Sequence, residues 1–142
     1  MVLVLLLIAA TISAVVFRSP DLSHQLAILE DTLNEVPPPL GTRLENAYDR
    51  PAIRSAYATR IYQSNLTFAE ISAYYSAELL KRGWRIARDR ELKDYWRNLG
   101  GRELVFCRNP YELTLATSGN RGGALLAYAY TALWNRDSIC DN

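Results

Sequence analysis

Cys107 and Cys140 are the two cysteines of this 142-residue chain, and they are its most suggestive chemical pair. Two antiparallel turns are expected between the Cys107 strand and the last strand. The end of the first and the exit of the second then fall at one end of a sheet, and a tail folding back after Trp134 brings Cys140 to Cys107. In oxidising surroundings the pair would close a loop of about 34 residues, worth about 4 kcal/mol in lost unfolded-chain entropy. The plainer alternative is two unrelated thiols, one half-buried in a strand and one on a frayed tail. A metal site is not expected, because two cysteines far from a lone histidine, His24, do not match ligand spacing.

Catalysis by a Ser/His/acid or Cys/His set would have to recruit His24, which lies outside the main folded region and reads as a surface residue. Glu45, Asp49, Glu70, Asp89, Glu103 and Glu112 each suit a turn, a cap or a strand surface, so a carboxylate-based enzyme is the weakest option. Gly100-Gly101 and Gly119-x-x-Gly122-Gly123 lack the strand-to-helix setting and following lysine of a phosphate loop, and read as hairpin turns. No cofactor is expected. What remains is an aromatic and basic set: Tyr57, Tyr62, Tyr74, Tyr95, Trp96 and Arg97. Tyr95 and Trp96 fall in a loop between strands. There, large apolar groups either pack over the core edge or mark an interface with membrane or protein.

Composition is that of a globular chain, 49% hydrophobic and rich in tyrosine, which argues against disorder. Charge is unevenly placed. Asp21 to Asp49 holds six acids against one arginine, and Lys81 to Arg108 holds nine basic residues against four acids. A solvated sheet face accounts for the basic stretch most simply; the sharper reading is a surface for anionic lipid headgroups or an acidic partner. No nucleic-acid motif accompanies the charge, so nucleic acid is not expected.

The elements that must position these residues begin with Val2 to Phe17, a run without charge. As a helix it would span about 24 Å, short of a ~30 Å hydrocarbon core. A retained single-span anchor is the favoured reading, with the N-terminus inside and the domain extracytoplasmic. A cleaved signal peptide and a secreted domain form the alternative. Ser19-Pro20-Asp21 then reads as a helix start, followed by Leu22, Leu26, Leu29, Leu33 and Val36 at heptad spacing. The stripe packs either on the chain's own domain or on a second copy or neighbouring membrane protein.

Pro37-Pro38-Pro39 ends that stem as a stiff spacer. Thr42 to Tyr48 and Ser55 to Ser64 are expected strands, with a turn at Asp49-Arg50-Pro51. Thr67-x-x-Glu70 is a capping box opening a helix through Phe68, Ile71, Tyr75 and Leu79, stopped by Gly83. Asn65-Leu66-Thr67 also matches a glycosylation acceptor, and the cap outweighs it. Further strands follow from Trp84, over Arg102 to Arg108, Tyr111 to Thr117 and Ala124 to Trp134.

The expected fold class is therefore α+β: a transmembrane helix and short amphipathic stem, then a small antiparallel sheet with one covering helix, ββαββββ or similar. The expected organisation is an anchor at 1–18, stem at 19–36, spacer at 37–41, domain at 42–136 and tail at 137–142. Pro37-Pro38-Pro39-Leu40-Gly41, Ala58 to Tyr62, and Tyr74-Tyr75-x-x-Glu78-Leu79-x-x-x-Gly83-Trp84 carry a pattern that resembles a loose class of small bacterial envelope proteins and lipoproteins. The resemblance implies no enzymatic activity, and no lipobox cysteine follows the hydrophobic segment. The expected function is accordingly a non-enzymatic, membrane-anchored envelope protein whose domain mediates protein or membrane-surface interactions. The expected partners are the lipid bilayer, another membrane protein or a second copy. A ligand-binding domain using the open sheet face is the alternative.

Overall fold

The computed structural model describes residues 20–52, 54–94, 97–119, 125–135 and 138–141. Among these residues, two α-helices and six strands follow in the order α1 (Pro20–Asn34), β1 (Thr42–Pro51), β2 (Ser55–Ser64), α2 (Phe68–Lys81), β3 (Arg85–Asp94), β4 (Arg97–Arg108), β5 (Tyr111–Thr117) and β6 (Leu126–Asn135). A 3-10 turn, Ile139–Asp141, comes last. The strands form one antiparallel sheet in the order β1-β2-β6-β5-β4-β3. β6 therefore returns to the centre, and among the described residues β1 and β3 are the edges.

This corrects the expected fold class in two respects. The first concerns the stem. Leu29, Leu33 and Val36 are buried, and Leu26 packs against the same core, so α1 is a second covering helix and part of the domain. Its close approach to β2 and β6 has a simple cause: Ala56, Ala58 and Ala132 present only methyl groups to it. Gln25 accepts a hydrogen bond from the Tyr111 hydroxyl at 3.1 Å, and Glu35 takes a bidentate pair from Arg108 at 2.6 and 3.0 Å. Arg108 also lies over the Trp84 ring, 4.5 Å from its centroid.

The second correction concerns the membrane. No helix among the described residues is long and apolar enough to cross one. The expected single-pass anchor, and the extracytoplasmic envelope location that depended on it, are not supported. The segment on which they rested, 1–18, lies outside the described residues.

α2 is built as its sequence dictates. The Thr67 hydroxyl accepts from the Glu70 amide while the Glu70 carboxylate accepts from the Thr67 amide, closing both halves of the capping box. Gly83 ends the helix at φ +82°, letting the Trp84 amide reach back to the Leu79 carbonyl at 3.1 Å. Beneath the helix, Tyr75 meets Tyr128 and Tyr130, with ring centroids 6.2 and 4.5 Å away. The Tyr75 and Tyr128 hydroxyls share a hydrogen bond at 3.3 Å.

Three strand boundaries differ from expectation. β1 runs on through Asp49, Arg50 and Pro51, since those residues stay paired with Ala58, Tyr57 and Ala56. β3 continues to Asp94, and Gly101 lies inside β4 opposite Leu92, so Gly100-Gly101 is not the hairpin turn. A Cβ on Gly101 would stand 3.1 Å from the Leu92 Cβ and 3.2 Å from the Thr117 carbonyl oxygen, a close strand approach that favours glycine. β6 begins at Leu126 rather than Ala124, which lies outside the described residues.

Candidate functional site: the open face of the sheet

Both helices pack on one face of the sheet, through a core that includes Tyr62, Leu104, Phe106, Leu113, Leu115, Tyr128 and Tyr130. The side chains that alternate with these point to the opposite face. Strand register aligns them into rows that cross all six strands. The central row runs Tyr48, Thr59, Thr131, Thr114, Val105, Arg88. Beside it lie Asn46, Ile61, Ala129, Ala116, Glu103 and Arg90 on one side, and Arg50, Tyr57, Leu133, Glu112, Cys107 and Arg85 on the other.

Side-chain size varies systematically along these rows. Apart from Leu133 and Glu112 at the tail end, the middle strands, β6 and β5, offer small residues, Ala127, Ala129, Thr131, Thr114 and Ala116, all exposed or half-buried. β2 and β1 carry the larger Tyr57, Ile61 and Tyr48, and β3 carries Arg88 and Arg90, while Val105 of β4 is buried on this face. Tyr48 meets Tyr57 edge-on at 6.4 Å and is itself 44% exposed, so this rim is an aromatic shoulder with solvent on one side. By side-chain size the face thus dips along β6 and β5, a strip termed the trough. Its floor carries few long side chains, and the Thr59 and Thr131 hydroxyls pair with each other at 3.1 Å.

The carboxy-terminal tail closes one end of the trough. Cys107 and Cys140 form a disulfide, with Cα atoms 5.4 Å apart and 33 residues of separation. Glu112, buried on the open face, accepts hydrogen bonds from the Ser138 hydroxyl and the Ile139 amide. The tail thereby supplies the donors that a buried carboxylate requires.

Charge sorting completes the site, and a bulge produces it. In β3, regular alternation puts Arg85 on the face opposite Arg88 and Arg90. The register shifts between Ile86 and Arg88, with Arg85 opposite Cys107, Arg88 opposite Val105 and Arg90 opposite Glu103. Those three β4 residues alternate on one face, so the extra residue, Ala87, brings all three arginines onto the open side. Asp89 and Glu91 fall on the helix side, where Asp89 pairs with Arg102 at 2.9 Å. Glu103 takes Arg90 at 2.8 Å and Arg88 at 3.2 Å on the same oxygen.

Most residues singled out from the sequence fall elsewhere. The Leu22, Leu26, Leu29, Leu33 stripe serves the domain's own core, with Leu22 half-buried at its start, so it is not a free surface. Tyr95 and Trp96 lie outside the described residues, and Arg97 opens β4 opposite Asp94. The other aromatics separate. Tyr57 is on the open face, Tyr62 stacks on Tyr128 beneath the helices, and Tyr74 donates to the Pro37 carbonyl at 2.9 Å. Burial pushes the phenols of Tyr62, Tyr75, Tyr128 and Tyr130 above their ordinary range, which fixes them as neutral core groups. Among the described residues no group of three or more His, Cys, Asp or Glu could hold a metal. No family model, curated protein or solved structure matches the chain. Its function is therefore read from this face alone.

The arginines of β3 are the functional candidates that sequence reasoning missed. Its basic stretch carried the signal for charge, but nothing in the local alternation signals the bulge that aligns it.

Proposed function

We propose that this chain is a protein-binding module that receives a helical segment of a partner in the trough on its open sheet face. The observation that carries this reading is the graded side-chain size across the face: Ala127, Ala129, Thr131, Thr114 and Ala116 on β6 and β5, between Tyr48, Tyr57 and Ile61 on one side and the β3 arginines on the other. β2 and β4 are three strand spacings apart, about 14 Å at ~4.8 Å each. A helix is about 10–12 Å across with its side chains, so one lying over β6 and β5 can set its flanks against the β2 and β4 side chains and lay an apolar stripe on Ala129, Thr131, Thr114 and Ala116. The two helices already cover the other face, so the domain does not need this one for its own core. Tyr57, Ile61 and Leu133 supply aromatic and aliphatic anchoring area, in keeping with the residues that carry binding energy at interfaces.

The test is a titration of the isotopically labelled full chain with an amphipathic helical peptide that has leucine on one face and glutamine on the other. The expected result is saturable shifts in the amides of Ala129, Thr131, Thr114 and Ala116, abolished by Thr114→Trp, which fills the trough. Shifts confined to the helix-covered side, or binding unchanged in Thr114→Trp, would overturn the proposal.

A further inference from the structure

We infer that the segment bound on the open face carries acidic residues along the flank that lies against β3, where Arg85, Arg88 and Arg90 form a rail. This rests on the binding reading above and adds the partner's chemistry to it. The rail's positions face Cys107, Val105 and Glu103 in turn, so their backbone sites recur at about 7 Å along the strand. Carboxylates at i and i+4 on a helix lying parallel to the strands recur at about 6 Å, close enough for each to find an arginine.

Positive charge is in excess there. One carboxylate oxygen of Glu103 serves both Arg88 and Arg90, and exposed Arg85 makes no ion pair among the described residues. The Arg88 Nε–H is itself buried without a hydrogen-bond partner, so the outward contacts fall to the terminal guanidinium nitrogens. Among the described side chains, the other carboxylates on this face are engaged: Glu112 by the tail, and Glu45 by the Gln63 side chain at 2.9 Å. Across the trough, the β1 rim adds Arg43 and Arg50, both exposed.

Protection of a free edge explains why β3 is charged at all. It does not explain why its charges are sorted by sign, arginines toward the trough and Asp89 and Glu91 away from it. Pairing across to β4 takes up part of the sorting, Glu103 meeting Arg88 and Arg90 while Arg102 meets Asp89. The positive remainder on the open side is what steers and orients an oppositely charged ligand.

Three peptides of about twenty residues test this, each with the same leucine face and with glutamate, glutamine or lysine on the other. Binding to the full chain is followed by amide shifts at low and high salt. The glutamate peptide is expected to bind about tenfold tighter than the glutamine peptide at low salt, with the advantage shrinking as salt screens it. Arg85→Glu/Arg90→Glu is expected to reverse the order in favour of the lysine peptide. Arg85→Gln, which breaks no ion pair among the described residues, provides a second variant whose fold is not at issue. Its expected effect is a smaller loss for the glutamate peptide alone. Equal affinities for the glutamate and glutamine peptides, unmoved by either variant, would sink the acidic preference and leave the binding module intact. Failure of all three peptides to shift the trough amides would remove the module and the preference together.

Discussion

Thr67 shows how much one side chain decides at the entrance to α2. Its hydroxyl accepts the Glu70 amide, and its own amide and hydroxyl donate to the Glu70 carboxylate, both at 2.8 Å. Removing the hydroxyl in Thr67→Ala should cost about 1 kcal/mol of stability, read as a lower urea midpoint. The same bonds hold the Glu70 carboxyl below the usual carboxylate range, the Thr67 backbone bond first and its side chain second. A lowered folded pKa means that the contribution is complete above the unfolded value of about 4.3 and is lost as pH falls through the folded one. Acid titration of stability should therefore be shallower in Thr67→Ala than in the parent chain. Identical acid limbs would separate the cap from the titration.

At the scale of elements, α1 carries the plainest test. A helix serving only as a stem would lose Leu29 with little effect on the fold, whereas a helix on the sheet loses a fully buried side chain. Leu29→Ala should destabilise the domain by about 2–5 kcal/mol through lost transfer and a residual cavity. Leu22→Ala, at the half-buried start of the helix, should cost much less. Urea unfolding of both variants measures this, and equal effects would contradict the packing described. The heptad spacing was legible in the sequence. Its partner was not, because a stripe of leucines is equally suited to a sheet or to another helix. Ala56, Ala58 and Ala132 resolve the matter only once strand order makes them neighbours beneath α1. β3 teaches the same lesson with charges: one bulged residue moves Arg85 to the other face, and no local pattern announces it.

For the whole molecule, the tyrosine-rich core sets the alkaline limit. Tyr62, Tyr75, Tyr128 and Tyr130 have folded pKa values raised chiefly by burial. Phenols in the unfolded chain ionise near 10, so the stability they confer is complete below about pH 10 and is lost as pH rises beyond it. Raising pH should unfold the domain cooperatively, with tyrosinate absorbance and loss of far-ultraviolet dichroism rising together. Ionisation of these four at ordinary values in a sheet that stays folded would contradict their burial. The disulfide works at the same scale. By joining the β4 end to the tail it holds Ser138 and Ile139 over Glu112, and the loop it closes is worth about 4 kcal/mol in the chain-entropy model.

By itself, the sequence determined the elements whose signals are local. The capping box and Gly83 bounded α2, alternation marked the strands, and the spacing of Cys107 and Cys140 about a run of antiparallel turns raised the pairing that the structure contains. Each rests on contacts within a few residues or on the direction in which consecutive strands run. Only the tertiary structure decided the rest. It placed β6 between β2 and β5, turned the leucine stripe of α1 inward, and aligned Thr59, Thr131 and Thr114 into a floor. It also gathered the β3 arginines on the open side. Those outcomes depend on register and on which strands are neighbours, quantities set by the packing of residues as far apart as Thr59 and Thr131 that periodicity along the chain does not encode.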